Sequence, residues 1–224
     1  MKILLKNRSL LKISGKDAEE FIQNQFTNDI GKLDNKKLQI NAYCQHQGKI
    51  IALFWVIRMD ESFLLSFPID LLERIESRLK MFVIMSDVVI ENVSSLFSQI
   101  GLINESSQNE FRINDNLALL IEDSSKQNAE LTENEITWNK ACIDSCLPEI
   151  YISTSEKLVP QMLNLDINEL GVNFSKGCYP GQEVVARLHY LGSAKRRLFS
   201  FESDHEMQVG DSLYCATSKT ALAR

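Results

Sequence analysis

The segment KIIALFWVIR, from Lys49 to Arg58, constrains the fold more than any other part of the chain. It is rich in β-branched and aromatic residues and has the length of a strand. A second strand-like stretch, LQINAYC, precedes it, and the turn His46-Gln47-Gly48 lies between them. Two such runs around a glycine turn predict a β-hairpin. A third strand, SFLLSF, follows the turn Met59-Asp60-Glu61. No run in the chain approaches the roughly 20 apolar residues that a membrane-spanning helix needs. No membrane partner is therefore expected.

Helical spacing appears in two places around this sheet. In SGKDAEEFIQNQFTNDIG, the residues Ala18, Phe21, Ile22 and Gln25 or Phe26 share a face. Ser14 or Asp17 is the candidate N-cap and Gly31 the candidate stop. Pro68 opens a second helix, with Ile69, Leu72, Ile75, Leu79 and Phe82 as its apolar stripe. Ile3 to Leu5 and Leu10 to Ile13 read as short strands around a polar turn at Asn7, and SDVVIENV and SLFSQIG as two more. This order points to an α+β fold with antiparallel sheets and helices packed on one face. Ser106 to Glu110 and Asp123 to Asn134 read as loops. From Trp138, itself a packing anchor, the chain becomes irregular and turn-rich, which is where sites tend to be built.

Bulk properties narrow the function classes. The net charge of −6, from 24 basic and 30 acidic side chains, argues against nonspecific coating of nucleic acid. A local basic patch stays open. The N-terminal MKILLKNRSLLKISG is interrupted by Lys6, Asn7, Arg8 and Lys12 and carries no small-residue cleavage site. It reads as strands, and a cytoplasmic location follows. The five cysteines are odd in number and irregular in spacing, so reduced thiols are the default. Cys146 is expected in the core. With no CxxC pair and no histidine cluster, no metal site is read.

The stretch KGCYPGQEVVAR, from Lys176 to Arg187, is the densest in chemistry. Gly177 and Gly181 permit backbone angles closed to other residues, and Pro180 fixes its own φ. Val184, Val185 and Leu188 have helical spacing, so Cys178 sits just ahead of a helix N-terminus. That end, with Lys176 two residues away, favours thiolate over thiol. Glu183 falls in the first turn, where a carboxylate suits the dipole. The residues alone leave a second reading open, in which Cys178 is a small buried hydrophobe and the glycines only shape a turn.

Lys176, Gly177, Cys178, Tyr179, Pro180, Gly181, Gln182 and Glu183 together resemble the signature of the YgfZ family of folate-binding proteins, relatives of the glycine-cleavage T-protein. GKDAEEFIQNQFTNDI, QHQGKIIALFWVIR, VPQMLNLD and KRRL are similar to further family segments, in family order, over about Ile13 to Phe201. The resemblance implies interleaved α+β subdomains over 1–194 and the start of a short or truncated β-barrel over 195–224, since few strand-like stretches follow KRRL. It implies tetrahydrofolate, or a one-carbon folate derivative, as cofactor. It also implies iron–sulfur client or assembly proteins as partners, with an indirect effect on tRNA modification.

By the same resemblance Cys178 and Lys176 are the reactive pair, and Gly177, Tyr179, Gly181, Gln182 and Glu183 approach the folate. Asp144 matches the carboxylate that holds the pterin, for which two parallel hydrogen bonds suit an amino-pyrimidinone edge. Lys195 and Arg197, within the triplet Lys195-Arg196-Arg197, would seat the anionic glutamate tail, or else contact RNA; as residues alone they also read as a solvated charge run. His189 and Tyr190 would stack on a planar ligand. The T-protein carries a catalytic aspartate shortly after its hairpin glycine, where this chain has Ala52. That departure argues against aminomethyl transfer and against a classical enzyme. An RNA-binding module acting through the basic triplet, and a folate-dependent one-carbon transferase, are the alternatives.

Overall fold

The computed structural model describes residues 1–126, 131–132, 134–214 and 221–223. Cys215 lies outside them. In chain order the elements are β1 (Lys2–Leu4), β2 (Arg8–Ser14), α1 (Ala18–Gln25), β3 (Gln39–Cys44), β4 (Ile50–Met59), β5 (Ser62–Pro68) and α2 (Leu72–Lys80). There follow β6 (Val89–Asn92), β7 (Phe97–Ile103), β8 (Glu110–Arg112), β9 (Leu117–Asp123), α3 (Glu135–Asp144), α4 (Gln182–Tyr190), β10 (Leu213–Tyr214) and β11 (Ala221–Ala223). Two antiparallel sheets carry the fold, one ordered β3-β4-β5-β2-β6 and the other β1-β7-β9-β8. β10 and β11 pair separately.

The run that dominates the sequence becomes β4, flanked by β3 and β5 as the hairpin reading requires. It is buried from Ile50 to Ile57, because both of its faces are covered. Phe54 and Trp55 are neighbours and so point to opposite faces. Phe54 packs 4.8 Å from Phe26, just past the end of α1, and joins Tyr43 and Phe67 in one aromatic cluster. Trp55 packs edge-on to Trp138 of α3 at 6.2 Å. Trp138 also lies flat against β7: a Cβ at Gly101 would come within 2.4 Å of its ring. One indole therefore joins both sheets, and only glycine at position 101 allows it that close.

β1 and β2 flank a polar turn at Lys6 and Asn7, as read from the sequence. The chain changes sheet there, and the amides of Lys6 and Asn7 donate to the Glu135 carboxylate. Three local expectations need correction. α1 stops at Gln25, well before Gly31, because Thr27 N–H turns to Ala42 O and Asn28 N–H to the Asn41 side chain. The second helix opens with a 3₁₀ turn, Ile69–Leu71, whose tighter winding shifts the phase. Leu71, Ile75 and Leu79 are buried, while Ile69 and Phe82 are exposed. Finally, β8, β9 and α3 occupy stretches from which no element is read in the sequence.

Candidate functional site

The thiol loop is built between α1 and the β3–β4 hairpin. Lys176 reaches across 150 positions of sequence to donate to Phe26 O at 2.5 Å, and also to Gln23 O and Asn28 O. Gln23 O and Phe26 O are carbonyls that the end of α1 leaves without helical partners, and Asn28 lies just beyond it, so the ammonium acts as a C-terminal cap. Its nitrogen also sits 5.4 Å over the Tyr179 ring. Burial lowers the Lys176 pKa from 10.5 to about 8.

That shift has a measurable sign. Between pH 8 and 10.5 the unfolded chain binds the proton that folded Lys176 has lost, so this residue makes stability rise with pH across that window. The Lys176→Met variant lacks the titration. Denaturation curves taken at a series of pH values should show wild type gaining on the variant from about pH 8 upward and running parallel to it below.

Beyond Lys176 the loop turns outward. Gly177 and Cys178 are exposed, and the space around Gly177 is open to 4 Å. Tyr179 turns back in and is buried. Gly181 then adopts φ +83° at the start of α4 and presses against the hairpin turn, where Gly48 has φ +73°. Gln182 donates its side-chain amide to Gly177 O at 3.3 Å, which closes the loop, and Glu183 is exposed in the first turn. The helix is held from below by Gln161, whose amide donates to Val185 O. Cys178 thus stands exposed just ahead of a helix N-terminus, and the ammonium of Lys176 is engaged with α1.

The remaining predicted residues do not converge on this loop. Arg197 makes a bidentate pair with Asp166, at 2.5 and 3.1 Å, and donates to Gln161 O. It pins the chain after α4, leaving Lys195 and Arg196 as the exposed members of the triplet. His189 is already stacked on Phe174 at 3.8 Å, with Tyr190 edge-on. Asp144 is exposed on the last turn of α3 and pairs with Lys140 at 3.4 Å. Ala52 is fully buried in β4, opposite Tyr43. Cys146, expected in the core, is exposed. The amide-rich end of α1 caps its own chain: Gln23 accepts from Ile30 N–H and Asn28 donates to Ile40 O.

A second locus was not foreseen from the sequence. A cleft of about 610 Å³ opens where α3, Trp55 of β4 and the segment 147–158 meet, within the size range of small-molecule sites. Arg8 and Glu149 form an ion pair in its wall. The Arg8 guanidinium stacks 3.7 Å over Trp55, and its Nε donates to Ser66 Oγ at 2.8 Å. Ser66 donates in turn to Gln99 Oε1. Burial holds the Glu149 carboxyl above the ordinary carboxylate range, against the pull of Arg8. Burial also pushes the Cys142 thiol in the same wall up to about 12, with Glu149 adding to the shift. Three polar atoms here are buried without a partner: Arg8 Nη2, Glu149 Oε1 and Trp55 Nε1. Asp144 and Cys178 are not in the cleft wall.

No protein-family model matches the chain. Individual relatives do. An uncharacterized protein of Haemophilus influenzae is 31% identical over 223 residues, covering 94% of this chain and 77% of that protein. The tRNA-modifying protein YgfZ of Colwellia psychrerythraea is 31% identical over 228 residues, covering 88% of this chain and 69% of that protein. The chain belongs to the YgfZ family. The tRNA-modifying protein YgfZ of Photorhabdus laumondii, at 28% identity over 93% of this chain, agrees. Among solved structures, the glycine cleavage system aminomethyltransferase T from Bartonella henselae superposes with a TM-score of 0.58 at 11% identity. The match covers 85% of this chain and 63% of that structure, and at this identity it shows the fold alone. The YgfZ family thus has a T-protein-like architecture in this chain, as the motif order implies. Among the described residues no helix is long and apolar enough to cross a membrane.

Proposed function

We propose that this chain binds tetrahydrofolate in the cleft and supports iron–sulfur cluster assembly or repair, through which it affects tRNA modification, with Cys178 as its reactive thiol. The observation that carries the binding half is the cleft itself. Its volume is in the range of small-molecule sites, and its lining sets Trp138, Tyr151 and leucines beside the Arg8–Glu149 pair, which suits a flat ring with polar edges. When bound, folate would supply a carrier for one-carbon units. The tRNA half of the reading is supported by the printed names of the Colwellia and Photorhabdus relatives.

The exposure of Cys178 on an open glycine-flanked loop suits a thiol that meets a macromolecular partner. The loop and the cleft have separate linings, so the two tasks are separable. Position 52 offers no functional group and is closed to solvent, which weighs against one-carbon transfer. The pairing of Arg197 with Asp166 weighs against the RNA-binding alternative, because it withdraws one of the three triplet cations.

The test is a calorimetric titration of the reduced protein with tetrahydrofolate. Wild type should bind at micromolar levels, and Cys178→Ser should bind equally well. Asp144→Ala should also bind, because that carboxylate lies outside the cleft wall. No heat and no thermal stabilisation of wild type would overturn the reading. Loss of binding in Asp144→Ala would move the site to the outer end of α3.

A further inference from the structure

We infer that the open edge of β6, with the apolar loop that leads into it, is a docking surface for an extended segment of another protein, one in which apolar side chains alternate with basic ones. None of these residues lines the cleft. The inference goes beyond the folate reading and does not depend on it.

The loop is the first observation. α2 ends at Lys80, and Met81, Phe82, Ile84 and Met85 follow it exposed, Ile84 by 78%. Val89, which opens β6, is exposed as well. No other nine-residue stretch of the described residues exposes as many large apolar side chains. Single apolar side chains on a surface are ordinary, but a gathered set marks an interaction site. Met85 is fully exposed and sits at φ +65°, where a residue other than glycine is strained. Methionine is flexible and polarisable, which suits a surface that adapts to its occupant.

The edge is the second observation. β6 ends the larger sheet, and among the described residues only β2 pairs with it. Val93 N–H donates to Leu10 O. In an antiparallel ladder the alternate residues, Glu91 and Val89, then also turn their backbone groups toward β2. The N–H and C=O of Ile90 and Asn92 therefore point out of the sheet. A chain laid beside β6 meets them as a further strand. The Asn92 side chain does not compete for that place, because its carbonyl accepts from Ser94 N–H and Oγ–H.

Charge selects the occupant. Asp87 and Glu91 are exposed beside the edge, and among the described residues neither forms an ion pair, although Lys12 stands opposite Glu91 in the register. The cations that end α2 are engaged: Lys80 pairs with Glu76 at 2.6 Å, and Arg78 lies over the rings of Tyr43 and Phe82. Two uncompensated carboxylates repel an anionic bilayer surface. Two copies joined through β6 would set the same carboxylates along one seam. A segment carrying basic side chains beside apolar ones satisfies both the carboxylates and the loop.

The experiment is an anisotropy titration of the full chain with a labelled seven-residue peptide in which lysine and valine alternate. Its controls are the glutamate–valine counterpart and the lysine peptide N-methylated along its backbone. Wild type should bind the lysine peptide at least tenfold more tightly than either control. Ile84→Ser/Met85→Ser and Asp87→Asn/Glu91→Gln should each weaken binding by roughly tenfold, with the thermal midpoint and the tetrahydrofolate titration as in wild type. Amide hydrogen exchange locates the contact: Ile90 and Asn92 should exchange fast in the free protein and slowly with the peptide, and Glu91 slowly in both. Equal peptide binding by wild type and both variants, or no added protection at Ile90 and Asn92, overturns the inference. Protection of those amides without peptide, in a protein that sediments as a dimer, overturns it in favour of a second copy. Binding of wild type to phosphatidylcholine–phosphatidylserine vesicles, lost in Ile84→Ser/Met85→Ser, overturns it in favour of a membrane.

Discussion

Gly181→Ala is expected to lower stability by about 2–4 kcal/mol, on the order of 5–15 °C in the unfolding midpoint for a chain of this size, whereas Gly177→Ala costs nothing. Both glycines flank the same thiol, and sequence alone treats them alike. Their surroundings differ. At Gly181 the backbone has φ +83°, which favours glycine, and an added Cβ would lie 2.5 Å from Gln45 O, 2.8 Å from Gly48 Cα and 2.9 Å from Gly48 N. All three obstacles are backbone, so no rotamer change relieves them. The hairpin turn or the start of α4 must move. At Gly177 nothing lies within 4 Å, and its φ is outside the left-handed region. Alanine there restricts the unfolded chain at no cost to the folded one, which stabilises slightly where it acts at all. Thermal unfolding of the two variants, followed by circular dichroism, decides the matter. Equal midpoints would mean that the hairpin turn does not hold the thiol loop.

The same loop shows what sequence can and cannot carry. The hairpin was legible because each signal is local: an apolar run, a glycine turn, a second run. The position of Cys178 ahead of a helix was legible for the same reason. The partner of Lys176 was not. Nearness in sequence pointed to the thiol, but the ammonium serves carbonyls at the end of α1, some 150 positions away. Only the folded chain brings a donor to those carbonyls. Arg197 is a second case: inside a basic triplet it looks like solvated charge, and Asp166 takes it. α3 escaped notice because Trp138 is its only buried residue, so it has no apolar stripe to read.

Glu149 is the most instructive miss. It follows Pro148 in an irregular stretch and resembles any surface glutamate. Nothing nearby marks it as buried. Its partner, Arg8, stands 141 positions earlier, as the first residue of a strand that the sequence reading begins only at Leu10. Asp144, in the family-matched position, drew attention because of a motif, yet it faces solvent. The burial of Glu149 depends on long-range pairing that neither motif nor periodicity encodes. One signal was available: an arginine next to the apolar run Leu10, Leu11 and Ile13 needs an acidic partner if it is buried with them.

Arg8→Met is therefore expected to be the most damaging single change in the cleft, costing about 3–5 kcal/mol, while Arg8→Met/Glu149→Met stays within roughly 1–2 kcal/mol of wild type. The single variant strands the Glu149 carboxylate in a wall where burial already disfavours its charge. The double variant removes both charges and fills the space with apolar atoms. The pH dependence of the single variant follows from the sign of the shift. A carboxyl whose folded pKa is raised binds more protons folded than unfolded above its ordinary range, so its contribution to stability falls as pH rises through that window. The deficit of Arg8→Met should hence shrink as pH is lowered toward 4.5, where the carboxyl is neutral, and the double variant should show no such recovery. Urea denaturation at neutral and acid pH measures both effects. A single variant as stable as wild type at neutral pH would mean that water already reaches Glu149.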